Sequence, residues 1–138
     1  MEQKRRVNCI KLIEVAKRNL AEMRSMFVNR HYYGTVNRAY YAMFHAVSAL
    51  LLLDGKRYKK HSGVITAFGR DYAKTGLVPK EYGELLNKAY DVRNKADYDV
   101  DMVIDDKVAE LYHRKAEELV AFIEKLVTKK LAEDKPAS

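Results

Sequence analysis

Apolar residues recur along much of the chain in alternating steps of three and four, the spacing of one face of an α-helix. Residues 7–29 show this most clearly, with apolar side chains at Cys9, Ile13, Ala16, Leu20, Met23 and Phe27. A second helix with two apolar stripes is predicted over residues 35–53. One stripe is mixed and the other rich in alanine, and their members are, respectively, Val36, Tyr40, Met43, Val47 and Leu50, and Ala39, Ala42, Ala46, Ala49 and Leu53. Because such broad stripes need partners on several sides, we expect this helix to be the central, most buried one.

Three further helices are predicted, over residues 62–76, 80–97 and 107–131. Ser62 is expected to cap the first of them, and Asp105 or Asp106 the last. No segment shows the period of two that is typical of a strand. The pattern therefore predicts an all-α protein, an antiparallel up-and-down bundle of four to five helices over residues 1–131 with a disordered tail over residues 132–138.

The composition fits one soluble domain. A chain of 138 residues usually forms a single core, and its one cysteine, Cys9, cannot make an internal disulfide. Its longest uninterrupted apolar run is far shorter than the roughly 20 residues of a membrane span, and its first residues lack the apolar core of a signal peptide. We therefore expect a cytoplasmic protein with no membrane attachment.

The formal net charge of +7 favours an anionic partner such as a nucleotide, a nucleic acid or an acidic protein. The charge is unevenly distributed. Residues 1–30 carry eight basic and three acidic side chains, residues 31–95 eleven and five, and residues 96–138 seven and eleven. The basic character therefore belongs to the first two thirds of the chain.

No metal or other cofactor is expected. Five aspartates lie within residues 97–106, but a calcium loop that starts at Asp97 requires Gly at its sixth position and Glu at its twelfth. Met102 and Val108 stand there. The four histidines also lack the close spacing of zinc ligands. The acidic run is better interpreted as an exposed turn followed by a helix cap.

The second predicted helix carries a polar stripe on an otherwise apolar surface. Its members, in steps of three, four and three, are Arg38, Tyr41, His45 and Ser48. Polar groups in a buried helix cost free energy unless they are paired, so the stripe should meet other polar groups or line a cleft. The alternative is that Tyr41 and His45 are ordinary core residues whose polar atoms are satisfied.

The fourth predicted helix ends in a second polar group. Arg93 and Asp97 are four residues apart and can pair along one face, while the Arg93 guanidinium could instead bind a phosphate through two parallel hydrogen bonds. Tyr98 converges with Arg93 only if the helix ends near Asp97. A structural Arg–Asp pair and a binding site both explain these residues.

The loop between the second and third helices, residues 55–62 (GKRYKKHS), is strongly basic. Cations beside an aromatic ring suit RNA or a nucleotide, whose phosphate they neutralise while a base stacks on the ring. A solvated basic loop without a ligand explains the same residues.

Three segments together resemble the HEPN (higher eukaryotes and prokaryotes nucleotide-binding) domain family, in particular its small stand-alone prokaryotic members. They are NRAYYAMFHAVSALLL (37–52), KHSGV (60–64) and RNKADY (93–98). The resemblance implies a helical bundle that forms a homodimer with a cleft at the interface. It also implies a partner, a minimal nucleotidyltransferase, with which such proteins form toxin–antitoxin pairs.

Catalytic members of this family are metal-independent RNases with an Arg-x-x-x-x-His motif, in which Arg stabilises the phosphorane and His moves a proton. By this resemblance Arg93 matches the motif Arg and Asn94 the polar residue after it, whereas Tyr98 stands where His is expected. A phenol, with an ordinary pKa near 10, is a poor general base at neutral pH. His45 or His61 would have to replace the motif His, and Arg93 with His45 is the candidate catalytic pair. Some members are modified with AMP on a tyrosine two residues beyond the motif His. Val100 occupies that position here, which leaves Tyr98 as a displaced acceptor.

The prediction is a binding module for a nucleotide or RNA. Its expected site residues are Arg38, Tyr41, His45, Lys60, His61, Arg93, Asn94 and Tyr98. One alternative is an RNase toxin that uses Arg93 and a displaced histidine, so enzymatic activity is left open. The other is a structural bundle that binds only protein.

Overall fold

The computed structural model describes residues 1–134, which form five α-helices and no β-strand. The helices are α1 (Gln3–Val28), α2 (Tyr32–Leu53), α3 (His61–Phe68), α4 (Lys80–Tyr98) and α5 (Asp106–Glu133). The predicted all-α fold is confirmed. Helix α5 includes two residues that were assigned to the disordered tail, and residues 135–138 of that tail lie outside the described residues.

Helix α2 lies at the centre of the bundle, as its two apolar stripes predicted. It packs against α1, α3, α4 and α5, and every member of both stripes is buried. Helices α1 and α5 are antiparallel, because Lys17 pairs with Glu124 at 3.0 Å and the later Arg24 with the earlier Glu117 at 2.6 Å. The alanine stripe lets neighbouring helices approach α2 closely.

The third helix differs from the prediction at both ends. It begins at His61 with Lys60 at the cap position, so Ser62 lies inside the first turn and does not cap it. Tertiary packing outweighs the local cap preference here, because the His61 ring stacks on Phe44 with ring centroids 4.1 Å apart. After Phe68 the chain continues as a π-helical segment, Gly69–Ala73.

Helix α4 approaches that π-helical segment closely at Gly83. A Cβ at Gly83 would lie 3.0 Å from the Cβ of Ala73 and 3.4 Å from the Cα of Gly69, so a larger residue would push the two elements apart. The second half of α4 then runs along α2, where Tyr90 contacts Tyr40 with ring centroids 5.7 Å apart. This crossing places the end of α4 beside α2 and the start of α3.

The acidic run between α4 and α5 forms an exposed turn and a helix cap. All five of its aspartates are exposed. Asp105 is the cap of α5, because its Oδ1 accepts a hydrogen bond from the Val108 N–H at 2.9 Å. Within residues 1–134, no group of three or more metal-ligating side chains occurs, and no helix has the length and apolar composition to cross a membrane.

Candidate functional site

A cleft of about 480 Å³ opens between the middle of α2, the start of α3 and the second half of α4. We call it the α2–α4 cleft. Six of the predicted site residues line it, namely Tyr41, Lys60, His61, Arg93, Asn94 and Tyr98. Lys59, Ser62 and Tyr90 also line it. Three segments that are far apart in the sequence therefore meet at one place.

Arg93 is held over two tyrosine rings of α2. Its guanidinium carbon lies 5.0 Å from the ring centroid of Tyr41 and 5.6 Å from that of Tyr40, distances at which a cation is attracted to an aromatic face. Its side chain is 21% exposed, so part of the guanidinium remains accessible. The two rings position a charged group that the cleft can present to an anion.

The hydrogen-bonding capacity of Arg93 is only partly used within the protein. The ion pair with Asp97 is present but long, with Nη2 and Oδ2 3.7 Å apart, and Asp97 is half exposed. An exposed pair of this kind contributes little stability. Nη1 donates to Asn94 Oδ1 at 3.2 Å, and the buried Nε has no acceptor among residues 1–134. Nη2, whose contact within residues 1–134 is the long one with Asp97, can therefore donate further hydrogen bonds to a ligand.

His61 is the histidine that lines the cleft. Its ring stacks on Phe44, and its Nδ1 lies 2.7 Å from the hydroxyl of Tyr40. Burial lowers the pKa of His61, and the positive charge of Arg93 lowers it further. His61 is therefore neutral at pH 7, with Nδ1 occupied by Tyr40 and no protein partner for Nε2 in the described part of the chain.

His45 and Arg38 lie behind Tyr41 and do not line the cleft. Nδ1 of His45 is 2.8 Å from the carbonyl oxygen of Tyr41 and 3.0 Å from Nδ2 of Asn19, so this nitrogen is occupied within the protein. Burial lowers the pKa of His45, while the hydrogen bond to Tyr41 acts in the opposite direction. The guanidinium carbon of Arg38 lies 5.4 Å from the ring centroid of Tyr41, so Arg38 reaches the cleft only through Tyr41.

Asn19 is a functional neighbour that the sequence analysis missed. It is one of only two buried polar residues within residues 1–134, 4% exposed, and it joins α1 to the polar stripe of α2. Its Oδ1 accepts from Arg38 at 3.3 Å, while its Nδ2 faces His45. The sequence does contain a signal for a buried Asn19. This residue lies three positions after Ala16 and four before Met23, and that spacing places it on the apolar face of α1.

The rim of the cleft is cationic and aromatic. Lys59 and Lys60 are exposed and form no ion pair within residues 1–134. Tyr98 is 86% exposed at the last residue of α4. The helix ends one residue past Asp97, and Tyr98 and Arg93 line the same cleft. The arrangement offers cations for a phosphate and an exposed ring for a base.

Comparison with known proteins gives a family match and several similar sequences. The family model of the HEPN domain matches residues 10–129. A Thermotoga maritima protein named "UPF0332 protein" is 39% identical over 121 residues, which cover 85% of this chain and 92% of that protein. The Methanocaldococcus jannaschii protein "Putative toxin MJ0605" is 39% identical over 102 residues, covering 74% and 76% of the two chains. "Putative toxin MJ0142", from the same organism, is 40% identical over 105 residues, covering 75% and 71%.

The matched range runs from the first half of α1 almost to the end of α5, so it includes every element that builds the cleft. The fold and the site together define the class of protein, which is an all-α bundle of five helices with a basic, aromatic cleft. This chain belongs to the HEPN domain family.

Proposed function

We propose that the protein is a HEPN-type module that binds a nucleotide or a segment of RNA in the α2–α4 cleft. It would act with a minimal nucleotidyltransferase as a toxin–antitoxin-like pair. The observation that carries the binding proposal is the Arg93 guanidinium, held over Tyr40 and Tyr41 in the cleft. Lys59 and Lys60 line the same cleft and form no ion pair within residues 1–134. Arginine in such a setting suits a phosphate, because its planar fork can donate two parallel hydrogen bonds.

The aromatic residues of the cleft support a nucleic-acid ligand over a simple anion. Tyr98 exposes most of its ring at the rim, and Tyr41 and Tyr90 line the interior. Proteins that bind single-stranded RNA stack unpaired bases on such rings while cations contact the backbone. A nucleotide is the smallest ligand that uses both features.

Fluorescence anisotropy with a labelled single-stranded RNA octamer, and competition by AMP, tests the binding proposal. We expect Arg93→Ala to weaken binding at least tenfold and Arg93→Lys to weaken it less, because the charge remains but the fork is lost. Lys88→Ala is the matched control, since Lys88 is an exposed cation of α4 outside the cleft. Affinity should also fall steeply between about 50 and 200 mM salt. Binding that is indifferent to both salt and Arg93 would refute the proposal and favour the bundle that binds only protein.

A second candidate is a metal-independent RNase that uses Arg93 and a displaced histidine. The observation that favours it is that His61 lines the cleft with Arg93, whereas His45, the sequence-based candidate, lies behind Tyr41. In the tautomer whose Nδ1–H donates to the hydroxyl oxygen of Tyr40, neutral His61 has a bare Nε2. That nitrogen would take the proton of a 2′-hydroxyl, whose oxygen attacks the adjacent phosphorus. Arg93 would stabilise the phosphorane, and the 5′-oxygen would leave and take a proton from solvent.

Incubation of the purified protein with RNA and EDTA separates the two candidates. The RNase predicts fragments that end in a 2′,3′-cyclic phosphate, and their loss in His61→Ala and Arg93→Ala. His45→Ala, which alters the other half-buried histidine of α2 and α3, should retain more activity than His61→Ala. If no fragments appear, or if His61→Ala cleaves like the parent, this candidate is wrong and the binding module stands alone.

The homodimer and the nucleotidyltransferase partner belong to the same proposal. Family resemblance supports both, and the names of two relatives, which contain the word toxin, support the paired system. The loop that follows the rim residue Tyr98 exposes Val100 (98%) and Val103 (79%), which fits a surface that a second chain covers. Light scattering should give twice the chain mass for the parent and a monomer for Val100→Asp with Val103→Asp. A parent that is monomeric at all concentrations would exclude the homodimer.

A further inference from the structure

A second pocket, of about 500 Å³, lies beside the basic loop. We call it the leucine pocket. Its floor comes from three helices, with Leu12 of α1, Leu51 and Leu52 of α2, and Val64 of α3. Its rim is the basic loop itself, residues 56–59. None of the site residues expected from the sequence lines it.

The leucine pocket and the α2–α4 cleft are connected in two ways. Lys59 lines both of them. The polar stripe of α2 also joins them, because Tyr41 lines the cleft and Ser48 lines the pocket. These two residues are seven positions apart, about 10 Å along a helix. A short oligonucleotide can reach from one to the other.

The cations at the rim of the leucine pocket are not equivalent. Lys56 is already paired, because its ammonium lies 3.2 Å from Asp71, a carboxylate that it shares with Arg70, and 5.1 Å from the ring centroid of Tyr72. Arg57 and Lys59 are exposed and form no ion pair within residues 1–134. The free positive charge is therefore concentrated on the part of the loop that leads to the cleft.

The loop is also held in place. Tyr58 packs over the first turn of α3, where a Cβ at Gly63 would lie 3.1 Å from the Cβ of Tyr58. The absence of a side chain at Gly63 lets the loop lie this close to the helix. Arg57 and Lys59, on either side of Tyr58, are thus presented from an anchored segment.

We propose that the leucine pocket is a second nucleotide subsite, which holds a base of the same RNA strand whose phosphate lies against Arg93 in the α2–α4 cleft. The apolar floor would take the face of a base without selecting its identity, and Arg57 and Lys59 would neutralise the connecting phosphates. This inference rests on the proposed binding function and adds that the ligand is a single strand longer than two nucleotides.

The test compares oligoadenylates of two and eight nucleotides by fluorescence anisotropy. We expect the parent protein to bind the octanucleotide (the octamer) more tightly than the dinucleotide. Arg57→Gln should weaken the octamer several-fold and lower its log–log salt slope by about 0.7, the value for one phosphate contact of a single strand. The affinity for the dinucleotide should not change, because Arg57 lines the leucine pocket and not the α2–α4 cleft. Arg114→Gln, at an exposed arginine of α5 outside both sites, is the matched control.

A second variant tests the pocket itself. Ser48→Phe would place a ring over the floor of the leucine pocket. It should weaken binding of the octamer but not of the dinucleotide. Its circular dichroism spectrum and unfolding midpoint are compared with those of the parent. If Arg57→Gln binds RNA as Arg114→Gln does, or if the octamer binds no more tightly than the dinucleotide, the proposal of a second subsite is wrong. Binding of the dinucleotide that depends on Arg93 would then still support the proposed function. Absence of any binding would overturn both the proposed function and the second subsite. An effect of Arg57→Gln on a protein partner but not on RNA would likewise overturn the subsite.

Discussion

The hydroxyl of Tyr40, a fully buried residue of α2, lies 2.7 Å from Nδ1 of His61 in the cleft. Burial raises the pKa of Tyr40 well above its usual range, so the phenol stays protonated and serves only as a hydrogen-bond partner. It fixes which ring nitrogen of His61 is available to a ligand. A core residue thereby sets the chemistry of a site residue.

Replacing Tyr40 with Phe should release the His61 ring. Without the hydroxyl, Nδ1 loses its partner, and we expect a more even mixture of the two neutral tautomers. Long-range proton–nitrogen NMR spectra of the imidazole measure this directly. His45, whose Nδ1 is engaged elsewhere, is the internal control. Unchanged His61 nitrogen shifts in Tyr40→Phe would show that the hydroxyl does not control the ring.

Acidification should destabilise the protein in part through His45. Its folded pKa is lowered, so below about 6.5, the ordinary value, the unfolded chain binds a proton more readily than the folded one. The stability that neutral His45 provides is therefore present above pH 6.5 and is lost as the pH falls below it. Urea unfolding at pH 7.5 and pH 5.5 should show a smaller loss in His45→Gln than in the parent. The control is His31→Gln, at an exposed position, and an equal loss in parent and His45→Gln would contradict the prediction.

Asn19→Ala should destabilise the bundle by about 1–3 kcal/mol, because it removes a buried amide and leaves its two half-buried partners unsatisfied at the α1–α2 contact. Arg38 would lose an acceptor and His45 a neighbouring amide. Urea unfolding measures the difference. Asn8→Ala, at a half-buried asparagine of the same helix, is the control. A loss no greater than that of the control would mean that the amide is not needed.

Asp105→Ala should cost about 1 kcal/mol, the typical value for a lost N-cap, and Asp105→Asn should recover most of it. Asp106→Ala is the matched control, since that residue lies in the first turn of α5, where its carboxylate is close to the positive end of the helix dipole. Thermal or urea unfolding distinguishes the two. A larger effect at position 106 than at 105 would contradict the observed cap.

The sequence predicted the architecture well for a physical reason. Helical periodicity records which face of each segment is buried, and in α2 the positions from Val36 to Leu53 that were expected to face the core are all buried. The third helix was the exception, because stacking of His61 on Phe44, a tertiary contact, sets its start. Local cap preferences at Ser62 contain no record of that contact.

For the site, the sequence supplied the residue types and the structure supplied their arrangement. Arg93, the basic loop and the polar stripe of α2 were all recognisable from charge and spacing. That His61 lines the cleft while His45 faces Asn19 depends on how α1, α3 and α4 are placed around α2. Helix crossing geometry is set by packing across the whole core, so no local pattern encodes which of two histidines reaches the cleft.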